Sequence, residues 1–134
     1  LVAVAVVALG TAGALLVLAA RTPAAATRTV QITMHHTGFE PTSIEVRPGT
    51  TVRFVLRNTD PIDHEFIVGD EAVQQRHRVG HEQRHDGSVP GEISVPSGAV
   101  ATTTFRFDHG GTIAYACHLP GHEAYGMVGV VRVH

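Results

Sequence analysis

Residues 115–127 read Tyr115-Ala116-Cys117-His118-Leu119-Pro120-Gly121-His122-Glu123-Ala124-Tyr125-Gly126-Met127. Cys117, His122 and Met127 stand at intervals of five, and Cys117 is the only cysteine in the chain. The run that ends at Cys117 has strand character, Pro120-Gly121 is a turn signal, and alternating apolar residues resume from Met127 or Val128 to Val133. The stretch therefore predicts a strand, a loop and a second strand. A loop that folds back over a strand tip brings a thiol, an imidazole and a thioether towards one point.

Working outward, the same period-two alternation recurs upstream. Val30, Ile32 and Met34 alternate, as do Ile44 and Val46, then Val52, Phe54 and Leu56, then Ile93 and Val95, and Phe105 and Phe107. Turn signals separate these runs at Thr37-Gly38, Pro48-Gly49, residues 58–61, Pro90-Gly91, Pro96-Ser97-Gly98 and Gly110-Gly111. We expect strands near 29–35, 43–47, 51–57, 64–68, 91–95, 100–107, 112–117 and 127–133. Short half-buried strands at this spacing predict an all-β fold, a sandwich or small barrel rather than any βαβ arrangement.

Composition narrows the function classes. The chain has 134 residues and a net charge of −2, with ten arginines and no lysine. That balance excludes a strongly basic nucleic-acid binder and a highly charged disordered chain. The length is too short for a multidomain enzyme, and one cysteine excludes an intramolecular disulfide framework and a four-cysteine zinc site. Ten histidines is a large number for this length. Seventeen of the first 20 residues are apolar, against 41 of the remaining 114. Residues 1–20 read as an export signal, cleaved near Ala24-Ala25-Ala26, or as an uncleaved membrane anchor. Residues 21–28 read as a linker and residues 29–134 as one domain. The sequence does not open on Met and is read as a fragment. Either reading of residues 1–20 puts the domain outside the cytoplasm, in the periplasm or an equivalent compartment.

The donor types point to a metal. Thiolate and thioether are soft ligands and imidazole is borderline; two His and one Cys with a weak, distant Met is the ligand set of a blue-copper electron-transfer site. The loop supplies one His. The best second is His64, which follows the turn around Pro61 and opens a strand, with His35, His36, His109 and, more weakly, His118 as rivals. His118 directly follows Cys117 and should point away from it.

Here the chain resembles the cupredoxins, single-domain blue copper proteins of the plastocyanin and azurin type. Residues 38–49 (GFEPTSIEVRPG) look like the family's early G-F-x-P-x-x-I-x-V-x-x-G stretch, and the run from Val52 to Asn58 followed by His64 looks like the strand leading to its first ligand. The resemblance implies a Greek-key β-sandwich of seven to eight strands. It implies one type 1 copper ion held by His64, Cys117, His122 and Met127. It further implies single-electron transfer by a monomer that transforms no substrate, with His122 near the surface. Leu119, Pro120, Gly121, Ala124, Tyr125 and Gly126 would form an apolar rim around His122 where a redox partner protein docks. One departure stands out. Many members carry a small amide or hydroxyl residue beside the first His, whereas here the neighbours are Asp63 and Glu65. Asn58 or a backbone N–H is then the expected hydrogen-bond donor to the thiolate.

Other functions compete with this one. A periplasmic copper carrier or storage module is favoured by the His-rich segment, but two methionines are few for an open carrier site. A copper enzyme built of joined domains needs more chain, and a metal-free adhesion sandwich leaves the Cys-His-Met loop unexplained. Residues 70–88 (DEAVQQRHRVGHEQRHDGS) lack alternation and read as an inserted loop or short helix interrupted by Gly80. If helical, His77, His81 and His85 would share a face able to take a second metal. Gly80 and the arginines at 76, 78 and 84 favour instead a solvated His-rich loop.

Overall fold

The computed structural model describes residues 26–80 and 84–134. Residues 1–20 and His81 lie outside them. The described residues form β1 (Thr27–His35), β2 (Gly38–Glu40), β3 (Ser43–Val46), β4 (Thr50–Asn58), β5 (His64–Gly69), α1 (Glu71–Val79), β6 (Glu92–Val95), β7 (Val100–Phe107), β8 (Gly111–Ala116) and β9 (Val128–Val133). All eight strands expected from the alternation are present within a few residues. The ninth, β2, is too short for periodicity to reveal. β1 starts at Thr27, two residues inside the segment read as linker. Among the described residues no helix is long and apolar enough to cross a membrane.

The strands make two sheets, ordered β2-β1-β4-β7 and β3-β9-β8-β5-β6. Both are mixed: β1 runs parallel to β4 and β3 parallel to β9, and the remaining pairs are antiparallel. Alternation along each strand sends one set of side chains between the sheets. Val30, Ile32, Met34, Val52, Phe54, Leu56 and Phe107 come from the first sheet, and Ile44, Val46, Phe66, Val68, Val95, Tyr115, Val131 and Val133 from the second. All are buried. Phe66 lies at the centre, its ring 4.9 Å from Phe54, 5.2 Å from Tyr115 and 5.8 Å from Phe39, centroid to centroid. Gly129 lets the sheet close over Tyr115: a Cβ there would fall 2.2 Å from the tyrosine ring.

β5 differs from the other strands because all six of its residues are buried. Phe66 and Val68 face the sandwich core, and His64 shares their side by alternation. Glu65, Ile67 and Gly69 take the opposite side, which α1 covers, as the approach of Val73 to Gly69 records. Asp70 caps α1, its carboxylate accepting from the Val73 N–H at 3.0 Å, and the helix ends at Gly80. Apart from half-buried Val73 against Gly69, the side of α1 that meets the sheet is polar. Its buried residues are Gln74 and His77, while Val79 is exposed. Gln74 Nε2 lies within 3.2–3.4 Å of the carbonyls of Ile67, Gly69 and Ala114. Of the two readings of this segment, the short helix ending at Gly80 is the one that forms, and the expectation of a solvated His-rich loop is corrected, since His77 and His85 are buried. The carbonyls along β5 and β8 give its polar side hydrogen-bond partners that the sequence pattern does not display.

Candidate metal centre

At one end of the sandwich three donor atoms meet. Cys117 follows the last residue of β8, His122 sits in the loop after it, and His64 opens β5. His122 Nδ1 lies 3.2 Å from His64 Nδ1 and 3.3 Å from Cys117 Sγ. One ligand atom from each of the three residues falls within 4.8 Å of the others. Of the rival histidines, His35 pairs with Glu40 (2.9 Å) and His118 turns away from the thiol, so His64 is the one that the fold brings to Cys117 and His122.

The main chain fixes this loop. The Cys117 N–H donates to Met127 O (3.2 Å), the Met127 N–H to His122 O (3.0 Å), and the His122 N–H to Leu119 O (3.0 Å). Gly121 has φ +84°, a left-handed turn that glycine adopts without a Cβ penalty. Met127, whose main chain bonds to Cys117 and His122, is fully buried, and His122 is half-buried. The rim residues Pro120, Gly121, Ala124, Tyr125 and Gly126 are exposed, Tyr125 to 83%.

Each donor is tuned by neighbours. The His64 Nε2–H donates to Asp60 Oδ2 (2.7 Å), which leaves the lone pair on Nδ1, the atom that faces His122. Burial pushes the Cys117 thiol up to about 11, opposed by the backbone N–H groups of Glu65 and Leu119. The Glu65 N–H lies 3.4 Å from Cys117 Sγ. That settles the donor question raised by the sequence: a backbone N–H serves, while the Asn58 amide donates to the carbonyls of Ile62 and Val95. Burial, and then the nearby His64, hold the His122 imidazole below its ordinary range, so its ring is neutral at pH 7. A neutral ring, a buried thiol and an oriented imidazole converge, and the thiol has only one proton to share among them. The donor set fits a cation of soft to borderline character.

Two residues of the site were missed by the sequence reading. Asp60 orients His64 and also accepts from the N–H groups of His36 (2.7 Å) and Thr37 (2.9 Å). Glu65 accepts from the His118 N–H (2.8 Å) through the carboxylate on the far side of β5. The i, i+4 spacing of Asp60 and His64 across a Pro-containing turn was the one available signal for the first.

Burial works against the Asp60 carboxylate, but the Thr37 N–H, the His64 ring and the His36 N–H outweigh it and hold its pKa below the ordinary 3.8. A depressed carboxylate adds stability above its unfolded pKa and loses it as pH falls through the folded value. Asp60→Asn should therefore cost about 1.5–3 kcal/mol at pH 7, the range for hydrogen bonds to a charged group. The gap to wild type should narrow as urea denaturation is repeated below pH 4. A gap that is constant with pH would mean the carboxylate charge is not what counts.

The comparisons agree with this architecture. The family profile of the Cupredoxin-like domain matches residues 6–130. The copper-resistant cuproprotein CopI of Rubrivivax gelatinosus is 40% identical over 115 residues, spanning 82% of this chain and 68% of that protein. Its Pseudomonas aeruginosa counterpart is 30% identical over 143 residues, spanning 82% of this chain and 78% of the relative. Among solved structures, auracyanin B superposes with a TM-score of 0.63 at 24% identity, covering 87% of this chain and 93% of its own. Auracyanin A, a "blue" copper protein of Chloroflexus aurantiacus, gives 0.61 at 24% identity, covering 81% and 99%. The two-sheet sandwich, the cluster at its end and the span of the family match lead to one conclusion: the chain belongs to the cupredoxin-like family.

Proposed function

We propose that this chain binds one copper ion through His64, Cys117 and His122, with Met127 as the weak fourth ligand, and serves as a one-electron carrier outside the cytoplasm. The observation that carries the reading is the convergence of His64 Nδ1, Cys117 Sγ and His122 Nδ1 on one buried point. When bound there, copper supplies a Cu(II)/Cu(I) couple. The protein's own part is to hold the donors still. Asp60 fixes the His64 ring, three main-chain hydrogen bonds fix the Cys117–Met127 loop, and burial excludes water from the thiol. Cys117 gives up its proton when it ligates. His122 is the donor nearest solvent, and the exposed loop around it makes a small patch of the kind transient redox partners use.

A second reading, copper handling, is favoured by the relatives' description as copper-resistant cuproproteins. Copper exchange separates the two. For an electron carrier, the copper-loaded protein should absorb intensely in the visible, be bleached and restored by one electron per ion, and lose copper to a chelator over hours. Loss within seconds, with weak absorption, would sink the electron-transfer reading and favour handling.

A further inference from the structure

Behind β5, under α1, lies a second polar cluster that the Cys117 site does not use. Its members are His77, His85 and Glu92, all buried. His77 Nδ1–H donates to the Val73 carbonyl, one turn back on α1, at 2.8 Å. That bond fixes the tautomer and leaves a lone pair on Nε2. His77 Nε2 is buried without a hydrogen-bond partner and lies 3.3 Å from Glu92 Oε2. A lone pair facing a carboxylate oxygen in a dry site is unfavourable unless something positive stands between them. His85 approaches the same carboxylate oxygen through Nδ1 at 3.6 Å, and through Nε2 lies 3.6 Å from Glu65 Oε2. Arg76 occupies the other oxygen of Glu92. Arg76 thus offsets one of the two buried carboxylates, Glu65 and Glu92, and leaves the other to be balanced within the cluster.

We propose that His77, His85 and Glu92 form a second metal site, separate from the Cys117 centre, for a borderline divalent cation, Zn²⁺ or Cu²⁺. One ligand atom from each lies within 4.8 Å of the others. Metal–ligand bonds of about 2.0–2.2 Å in tetrahedral geometry hold ligand atoms roughly 3.3–3.6 Å apart, and both histidines already sit at such distances from Glu92 Oε2. Two imidazoles and a carboxylate, with no sulfur, select Zn²⁺ or Cu²⁺ over the softer Cu(I). The surrounding bonds are those of a ligating set. Val73 O holds His77, Arg76 holds Glu92, and Glu65 stands against the far nitrogen of His85. Glu65 also ties this cluster to the first, since its backbone N–H lies against Cys117 Sγ. The cation would replace a proton between His77 and Glu92 and complete the seating of α1 on the sheet.

The test uses the full chain, already loaded at the Cys117 site with copper, titrated separately with Zn²⁺ and with Cu²⁺ by calorimetry. We expect one further tight binding event, weakened at least tenfold in His77→Gln and in Glu92→Gln. Retention of the visible copper–thiolate absorption by each variant shows that it has folded. Loss of the event in either metal arm supports the site. An unchanged event in both variants, or none in wild type, overturns it. Should a variant not fold, the ring signals of His77 and His85 in wild-type NMR spectra decide: Zn²⁺ must shift both, and unmoved signals reject the proposal. This outcome does not depend on whether the Cys117 centre transfers electrons. If that centre takes no copper, the same titration on the metal-free chain should show one event more in wild type than in Glu92→Gln.

Discussion

Cys117→Ser should abolish the intense visible absorption of the copper-loaded protein and weaken copper binding by more than about 100-fold. Removing a partner outside the ligand shell typically costs 10–100-fold in affinity, so loss of the soft anionic ligand itself should exceed that range. A serine hydroxyl keeps the shape of the side chain but offers no thiolate. The proton count gives an independent reading. The buried thiol is pushed up to about 11 and is protonated at pH 7, so copper must displace its proton. Wild type should release about one proton per ion from this group at pH 7, and its affinity should fall as pH is lowered. Calorimetry in buffers of different ionisation enthalpy measures that proton. In Cys117→Ser it should be missing. Because burial holds His122 neutral at pH 7, its own proton enters the balance only at lower pH. Equal proton release by the variant and wild type would show that Cys117 is not a ligand.

Phe66→Ala should be the most damaging change in the core, costing about 3–5 kcal/mol and lowering the melting temperature by at least on the order of 10 °C. The ring is fully buried and packs on three other aromatic rings from both sheets. Tyr115, one of these neighbours, is held away from the space by its hydroxyl, which donates to Pro41 O at 2.7 Å. Phe66 is also two residues from His64 on the same side of β5, so the cavity opens beside the metal centre. Denaturant unfolding of the metal-free protein reads the stability term without linkage to copper. A loss below 1 kcal/mol would show that the sheets re-pack around the missing ring.

The sandwich was legible because its strands are half-buried and advertise the fact by alternation. Val52, Phe54 and Leu56 point inward while Arg53, Val55 and Arg57 do not. β5 was harder, since a strand covered on both sides shows no alternation, and His64 and Glu65 are both buried for different reasons. The Cys117–Met127 loop could be read because its donors are local in sequence. Asp60, Glu65 and Glu92 could not, because each acts on a side chain or backbone group brought near by folding, and a carboxylate in a sequence looks solvated until its partner is found. The helix over residues 71–79 was undervalued for a related reason. Amphipathicity marks a helix that docks by its apolar side, whereas the buried residues by which α1 docks are the polar Gln74 and His77, with only Val73 adding an apolar contact.

That polar docking has a consequence for how the domain comes apart. Directional bonds to three carbonyls position α1 closely, yet they contribute little net free energy, since water offers the same bonds once the helix lifts. The sheets are held by buried apolar area, which water does not replace. α1 is therefore the seam of the domain: on warming or in mild denaturant it should detach as a local unit while the sandwich stays closed. Opening there would wet the back of β5, and the Cys117 end would feel the change through the Glu65 backbone before any strand separates.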